Sequence, residues 1–77
     1  MVKLLFFAGI KERIGVEELY LETSNQTIAQ LKNYLQVSYP NLQLDGVLVA
    51  INEEFALDDD MVQDNDTIAF IPPVSGG

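Results

Sequence analysis

At Thr27 the chain changes its hydrophobic period, and this change narrows the open folds more than any other stretch does. Before it, "VKLLFFA" is a short run that is apolar on both parities apart from Lys3, and "EELYLET" sets Leu19 and Leu21 against Glu18, Tyr20 and Glu22. Both are strand patterns, the first at least partly covered on both faces and the second wet on one. After it, Ile28, Leu31 and Leu35 fall at i, i+3 and i+7 with Tyr34 beside the stripe, which is helical spacing. Thr27 and Gln30 have the spacing of a capping box, in which hydroxyl and amide side chains satisfy two otherwise orphan backbone donors. Pro40 stops the run, because the residue before proline avoids α geometry. The spacing predicts a helix over Ile28 to Ser38.

The remainder again reads as strands. "GVLVAIN" follows a "DG" turn as a buried strand, "FALDDD" follows "NEE" as a short one, and "TIAFI" follows a turn at Asp64, Asn65 and Asp66. Gly9 to Gly15 is expected to be a plain connection that closes the first two strands into a hairpin. The predicted order is β, β, α, β, β, β, an α+β layer fold with strands packed on one main helix. Seventy-seven residues make one domain with a small core, since a chain of this size buries only about 60% of its unfolded surface.

Strand parity raises a question of its own. Leu5 and Phe7 share a face with Lys3, and Ile71 shares one with Thr67, so large apolar side chains are expected on the solvent side. With Phe55 in the nearby hairpin, they would form an exposed patch of the kind that marks an interface. The alternative is that loops or the twist of the sheet cover them.

Composition excludes several chemistries. The chain has no Cys and no His, which removes disulfides, thiolate metal sites, cysteine nucleophiles and the commonest general base. A cytoplasmic address follows as an expectation. The brief apolar stretch at the N-terminus lacks a convincing cleavage site and is read as a mature strand, and no run approaches the roughly 20 apolar residues a bilayer requires. Residues 1 to 32 hold four acids and four bases, whereas residues 33 to 77 hold eight acids and no base, which places the whole net charge of -8 in the second half. Phosphates would be repelled, so nucleic acid is not an expected partner; a basic protein surface suits this charge, and so does a merely solvated acidic face. "DDDMVQDND" lacks the glycine and the final Glu of a calcium loop, and no metal site is expected.

The sequence closes on "FIPPVSGG". Pro72 and Pro73 have fixed φ and no amide proton, so they end the last strand and send the chain outward. This divides the chain into a folded domain, residues 1 to 71, and a tail, residues 72 to 77. At about 3.3 Å per residue six residues reach about 20 Å, enough to enter a deep cleft. Gly76 and Gly77 have no Cβ, so they pass where side chains cannot, leaving the terminal carboxylate as the reactive group. A carboxylate is a poor electrophile until it is joined to AMP as a mixed anhydride, so its chemistry needs an outside activating enzyme. With Gly at about 7% of residues, two closing glycines occur by chance in about one chain in 200. The proline-stiffened stem after a final strand is what gives the pair meaning.

With this element order and "NDTIAFIPPVSGG", the whole chain resembles the ubiquitin-like β-grasp sulfur carriers, and "PPVSGG" looks like the ending of molybdopterin synthase small subunits. The resemblance implies that Gly77 is adenylated by an ATP-dependent activating enzyme and converted to a thiocarboxylate. The arm of Pro72, Pro73, Val74, Ser75, Gly76 and Gly77 would then enter the large subunit's active site and give sulfur to cyclic pyranopterin monophosphate, forming the molybdopterin dithiolene. It also implies that Phe7, Lys11, Phe55 and Ile71 contact the large subunit, in a heterotetramer of two small and two large subunits. No bound cofactor is implied; ATP belongs to the activating enzyme, and the chain is a sulfur-donating, non-catalytic subunit. Asn65 stands where the family often has Gly, which suits the same turn. Three alternatives stay open: a carrier for thiamine biosynthesis, a ubiquitin-like modifier of target lysines, and a plain acidic interaction domain.

Overall fold

The computed structural model describes residues 1–23 and 25–73. In chain order these form β1 (Val2–Phe6), α1 (Ala8–Ile14), β2 (Glu18–Leu21), β3 (Gln26–Thr27), α2 (Ile28–Ser38), β4 (Leu48–Ile51), β5 (Glu54–Ala56), β6 (Met61–Val62) and β7 (Thr67–Ile71). The main sheet runs β2-β1-β7-β4-β5, and β3 pairs with β6 in a small separate ladder. β1 and β7 are parallel in the middle of the sheet; the other neighbours are antiparallel.

α2 occupies the predicted span, and both halves of its capping box are made. The Gln30 amide donates to Thr27 Oγ1 at 3.2 Å, and the Thr27 amide donates to Gln30 Oε1 at 2.8 Å. Ile28, Leu31 and Leu35 are fully buried against the inner face of the sheet, which supplies Val2, Leu4, Phe6, Val49, Ile68 and Phe70. Phe6 and Phe70 are opposite each other on the parallel strands, and their rings stack with centroids 5.5 Å apart. Such a pair contributes about 1 kcal/mol beyond the area it buries.

Three features depart from the expected pattern. The Gly9 to Gly15 connection is a helix, α1, so β1 and β2 pair antiparallel without a tight hairpin between them. α1 is short and contains Gly9, and its intrinsic propensity is poor. Burial of Ile10 and Ile14, one turn apart, holds it in place, and Gly15 closes it in the left-handed conformation at φ 89° with its amide on the Lys11 carbonyl. The hairpin strand β5 starts at Glu54, one residue earlier than expected, and stops at Ala56. The two-residue strands β3 and β6 are too short to carry any alternation that a sequence pattern can reveal.

The acidic run after β5 has local work to do. Its backbone carbonyls at Asp58 and Asp60 accept the amides of Ala29 and Ile28 at the start of α2. The Asp60 side chain accepts the Leu57 amide and Asp66 that of Gln63, each closing its own turn. Asp58 pairs with Lys32 at 2.8 Å, and Asp64 pairs with the Met1 ammonium.

Candidate docking face and tail stem

The outward face of the sheet is built by the parity that buries the opposite one. Leu5 on β1, Ala69 on β7, Ala50 on β4 and Phe55 on β5 form one continuous cross-strand row. The two alanines make a low floor, and the larger side chains rise at either end. Phe7, just past β1, and Ile71, at the end of β7, border the same floor, and the result is a shallow apolar basin. Phe55 is 75% exposed and Phe7 45%. Neither loops nor sheet twist cover them, so the second account of the apolar parity is set aside.

Phe7 and Ile71 are neighbours because β1 and β7 run parallel and finish at the same end of the sheet. The stem of the tail leaves from there. Phe7, Ala8, Ile71, Pro72 and Pro73 line a second apolar notch that continues from the basin. On the other side of the stem, a β-carbon built on Gly46 would stand 3.7 Å from Cγ of Pro73. Gly46 has φ 74°, the left-handed region that its "DG" turn predicts. Pro72 and Pro73 thus leave the body beside the start of α1 and close to the loop before β4. Val74, Ser75, Gly76 and Gly77, on which the terminal chemistry was expected, lie outside the described residues.

The four side chains expected at a partner surface divide three to one. Phe7, Phe55 and Ile71 are brought to the basin. Lys11 is not: it sits on the exposed face of α1, one turn beyond Phe7, with its Nζ 3.0 Å from Glu17. Asn52 and Glu53 join the rim from the β4–β5 turn, and the sequence reading had not singled them out. The Asn52 side chain fixes this corner, accepting the Thr67 amide and donating to Asp66, both at 2.9 Å. The signal for it was present, since "INEE" places Asn at the first position of a two-residue turn.

Two titrating groups outside the basin are shifted. Hydrogen bonding and charge attraction from Glu18 raise the Lys3 pKa, and the Met1 ammonium lowers that of Asp64. Among the described residues no helix is long and apolar enough to cross a membrane.

A profile of the ThiS family matches residues 4–77. The chain is 38% identical over 79 residues to the molybdopterin synthase sulfur carrier subunit of Arabidopsis thaliana, covering 99% of this chain and 82% of that protein. In structure it is similar to SAMP1 from Haloferax volcanii, with a TM-score of 0.81, 24% identity, and 99% and 98% of the two chains covered. It is also similar to a chain in the complex of subunits 1 and 2 of molybdopterin-converting factor from Helicobacter pylori, with a TM-score of 0.71, 27% identity, and 99% and 97% covered. With a ubiquitin-like β-grasp fold and a family match that runs nearly its whole length, the chain belongs to the ThiS family.

Proposed function

We propose that the chain is the sulfur carrier subunit of a molybdopterin synthase. The observation that carries this reading is the shared position of basin and stem: Phe7 and Ile71 border both, so a protein seated on the basin also meets the tail. The Arabidopsis relative bears this function in its name, and the Helicobacter neighbour was solved in complex with a second subunit.

In the proposed cycle an activating enzyme uses ATP to adenylate the Gly77 carboxylate, releasing pyrophosphate. Hydrosulfide attacks the acyl carbon and displaces AMP, leaving a thiocarboxylate. The large subunit seats on Phe7, Phe55 and Ile71, and residues 72 to 77 enter its active site. There the sulfur passes to cyclic pyranopterin monophosphate, and water restores the carboxylate. The chain's own part is to dock, to aim and to present one reactive atom past two residues without side chains.

Incubation with the activating enzyme, ATP and a sulfur donor, followed by intact mass measurement, tests this. Exchange of one oxygen for one sulfur, with subsequent loss of that sulfur only when large subunit and precursor are added, is the expected result. Conjugates to target lysines would instead indicate a modifier, sulfur delivered only to a thiazole-forming system a thiamine carrier, and no change a plain interaction domain.

A further inference from the structure

The β4–β5 hairpin turns through Asn52 and Glu53, whose φ angles are 50° and 73°. Ile51 and Glu54 pair on either side of them, so both central residues of a two-residue loop are left-handed. Asn followed by Gly is the sequence this geometry favours, because an L side chain at the second position crowds its own backbone. Asn52 fits, and its side chain is locked to Thr67 and Asp66. Glu53 does not fit. Among the described residues it forms no ion pair and its carboxylate accepts no hydrogen bond from the protein, a condition it shares with Asp45, Glu54 and Asp59, whereas Asp58, Asp60, Asp64 and Asp66 each hold a structural partner. What Glu53 does is line the basin, where it is the charged member of a set otherwise made of apolar and neutral side chains.

We propose that Glu53 is a specificity-determining residue of the docking face, its carboxylate paired by an arginine or lysine that the partner carries beside the apolar group seated between Phe7 and Phe55. The inference rests on the proposed role of the basin as a protein-docking surface. Non-glycine residues in the left-handed region cluster at binding sites, and here that backbone holds a carboxylate at the edge of an apolar floor. A rim charge of this kind orients the encounter and rejects partners lacking the matching base, and it acts on association rate and salt dependence more than on dissociation. The acidic excess of the second half of the chain complements a basic partner surface of that kind.

The test compares the full chain with Glu53→Gln, Glu53→Gly and Asp59→Asn, each titrated with purified large subunit at low and high salt. Asp59 is exposed, lies away from the basin and pairs with no described residue, so its variant measures the loss of one unit of general charge. Glu53→Gln is expected to weaken binding at low salt by about tenfold through a slower association rate, against less than about twofold for Asp59→Asn, with the difference fading at 0.5 M salt as charges are screened. Glu53→Gly is expected to lose the same affinity while raising Tm by roughly 4 °C, because the turn is relieved. A Glu53→Gln effect no larger than that of Asp59→Asn, or one that persists at high salt, overturns the proposal and leaves the docking reading intact. Absence of any binding by the unaltered chain overturns both.

Discussion

Gly46 faces Pro73 at the base of the tail, the proline Cγ lying 3.7 Å from where a β-carbon at residue 46 would be. The loop before β4 thus stands close beside the stem after β7, and only a residue without a β-carbon leaves the space next to the Pro73 ring open. Gly46→Asn tolerates the left-handed backbone and adds side-chain bulk beside the ring. In single-turnover assays it is expected to slow sulfur transfer by about tenfold with Kd for the large subunit little changed, since small misplacements of a reacting group are costly. Pro73→Ala, which removes part of the ring, should recover some of the loss in the double variant. An equal loss in Kd and rate would contradict a purely directional role.

Phe7 is half exposed beside buried Phe6, and the two should respond to substitution in opposite ways. Phe7→Asp is expected to weaken large-subunit binding by about 2 kcal/mol, the scale of an aromatic anchor at an interface, with Tm nearly unchanged. Phe6→Ala removes one ring of the stack with Phe70 and is expected to cost about 3–5 kcal/mol, enough to unfold a domain of this size. Thermal melts and titration calorimetry on both variants separate the docking face from the core.

Deletion of Gly77 is expected to abolish thiocarboxylate formation while Tm and binding through the basin change little. Mass spectrometry after incubation with the activating enzyme and ATP checks it. Sulfur incorporation in the shortened chain would remove Gly77 from the mechanism.

Asp64 has a lowered pKa because it pairs with the Met1 ammonium. A depressed carboxyl contributes stability above its unfolded pKa, and that contribution is lost as pH falls through the folded value. Asp64→Asn should therefore lower Tm slightly at neutral pH and match the unaltered chain in strong acid, where both carry a neutral side chain. Lys3, raised by Glu18, works in the other direction: its contribution is present below the unfolded lysine pKa and is lost as pH rises through the folded one. Melts between acid and strong base on Asp64→Asn and Lys3→Met separate the two limbs.

α2 was legible to the residue because every signal for it is local. The Thr27 and Gln30 side chains reach amides three residues away, the apolar stripe repeats within one turn, and Pro40 acts on its predecessor. The outward placement of Phe7 and Ile71 was equally legible, since alternation along a strand fixes which side chains share a face. α1 was not legible, because Gly9 weakens it and what holds it is the burial of Ile10 and Ile14 against distant strands. Nor was the separation of Lys11 from the basin, which depends on how α1 leaves β1.

By itself, then, the sequence determined the inner and outer faces of the strands, the one long helix with its two ends, and a stem that cannot continue the sheet. All of these follow from periods and steric limits that act within a few residues. Only the tertiary structure decided that Leu5, Ala69, Ala50 and Phe55 line up in one row across four strands, that Glu53 stands strained at the rim of the basin, and that Gly46 faces Pro73. Those relations join residues far apart in the chain, and the strand order β2-β1-β7-β4-β5 that brings them together is chosen by the packing of the whole core, which no single segment encodes.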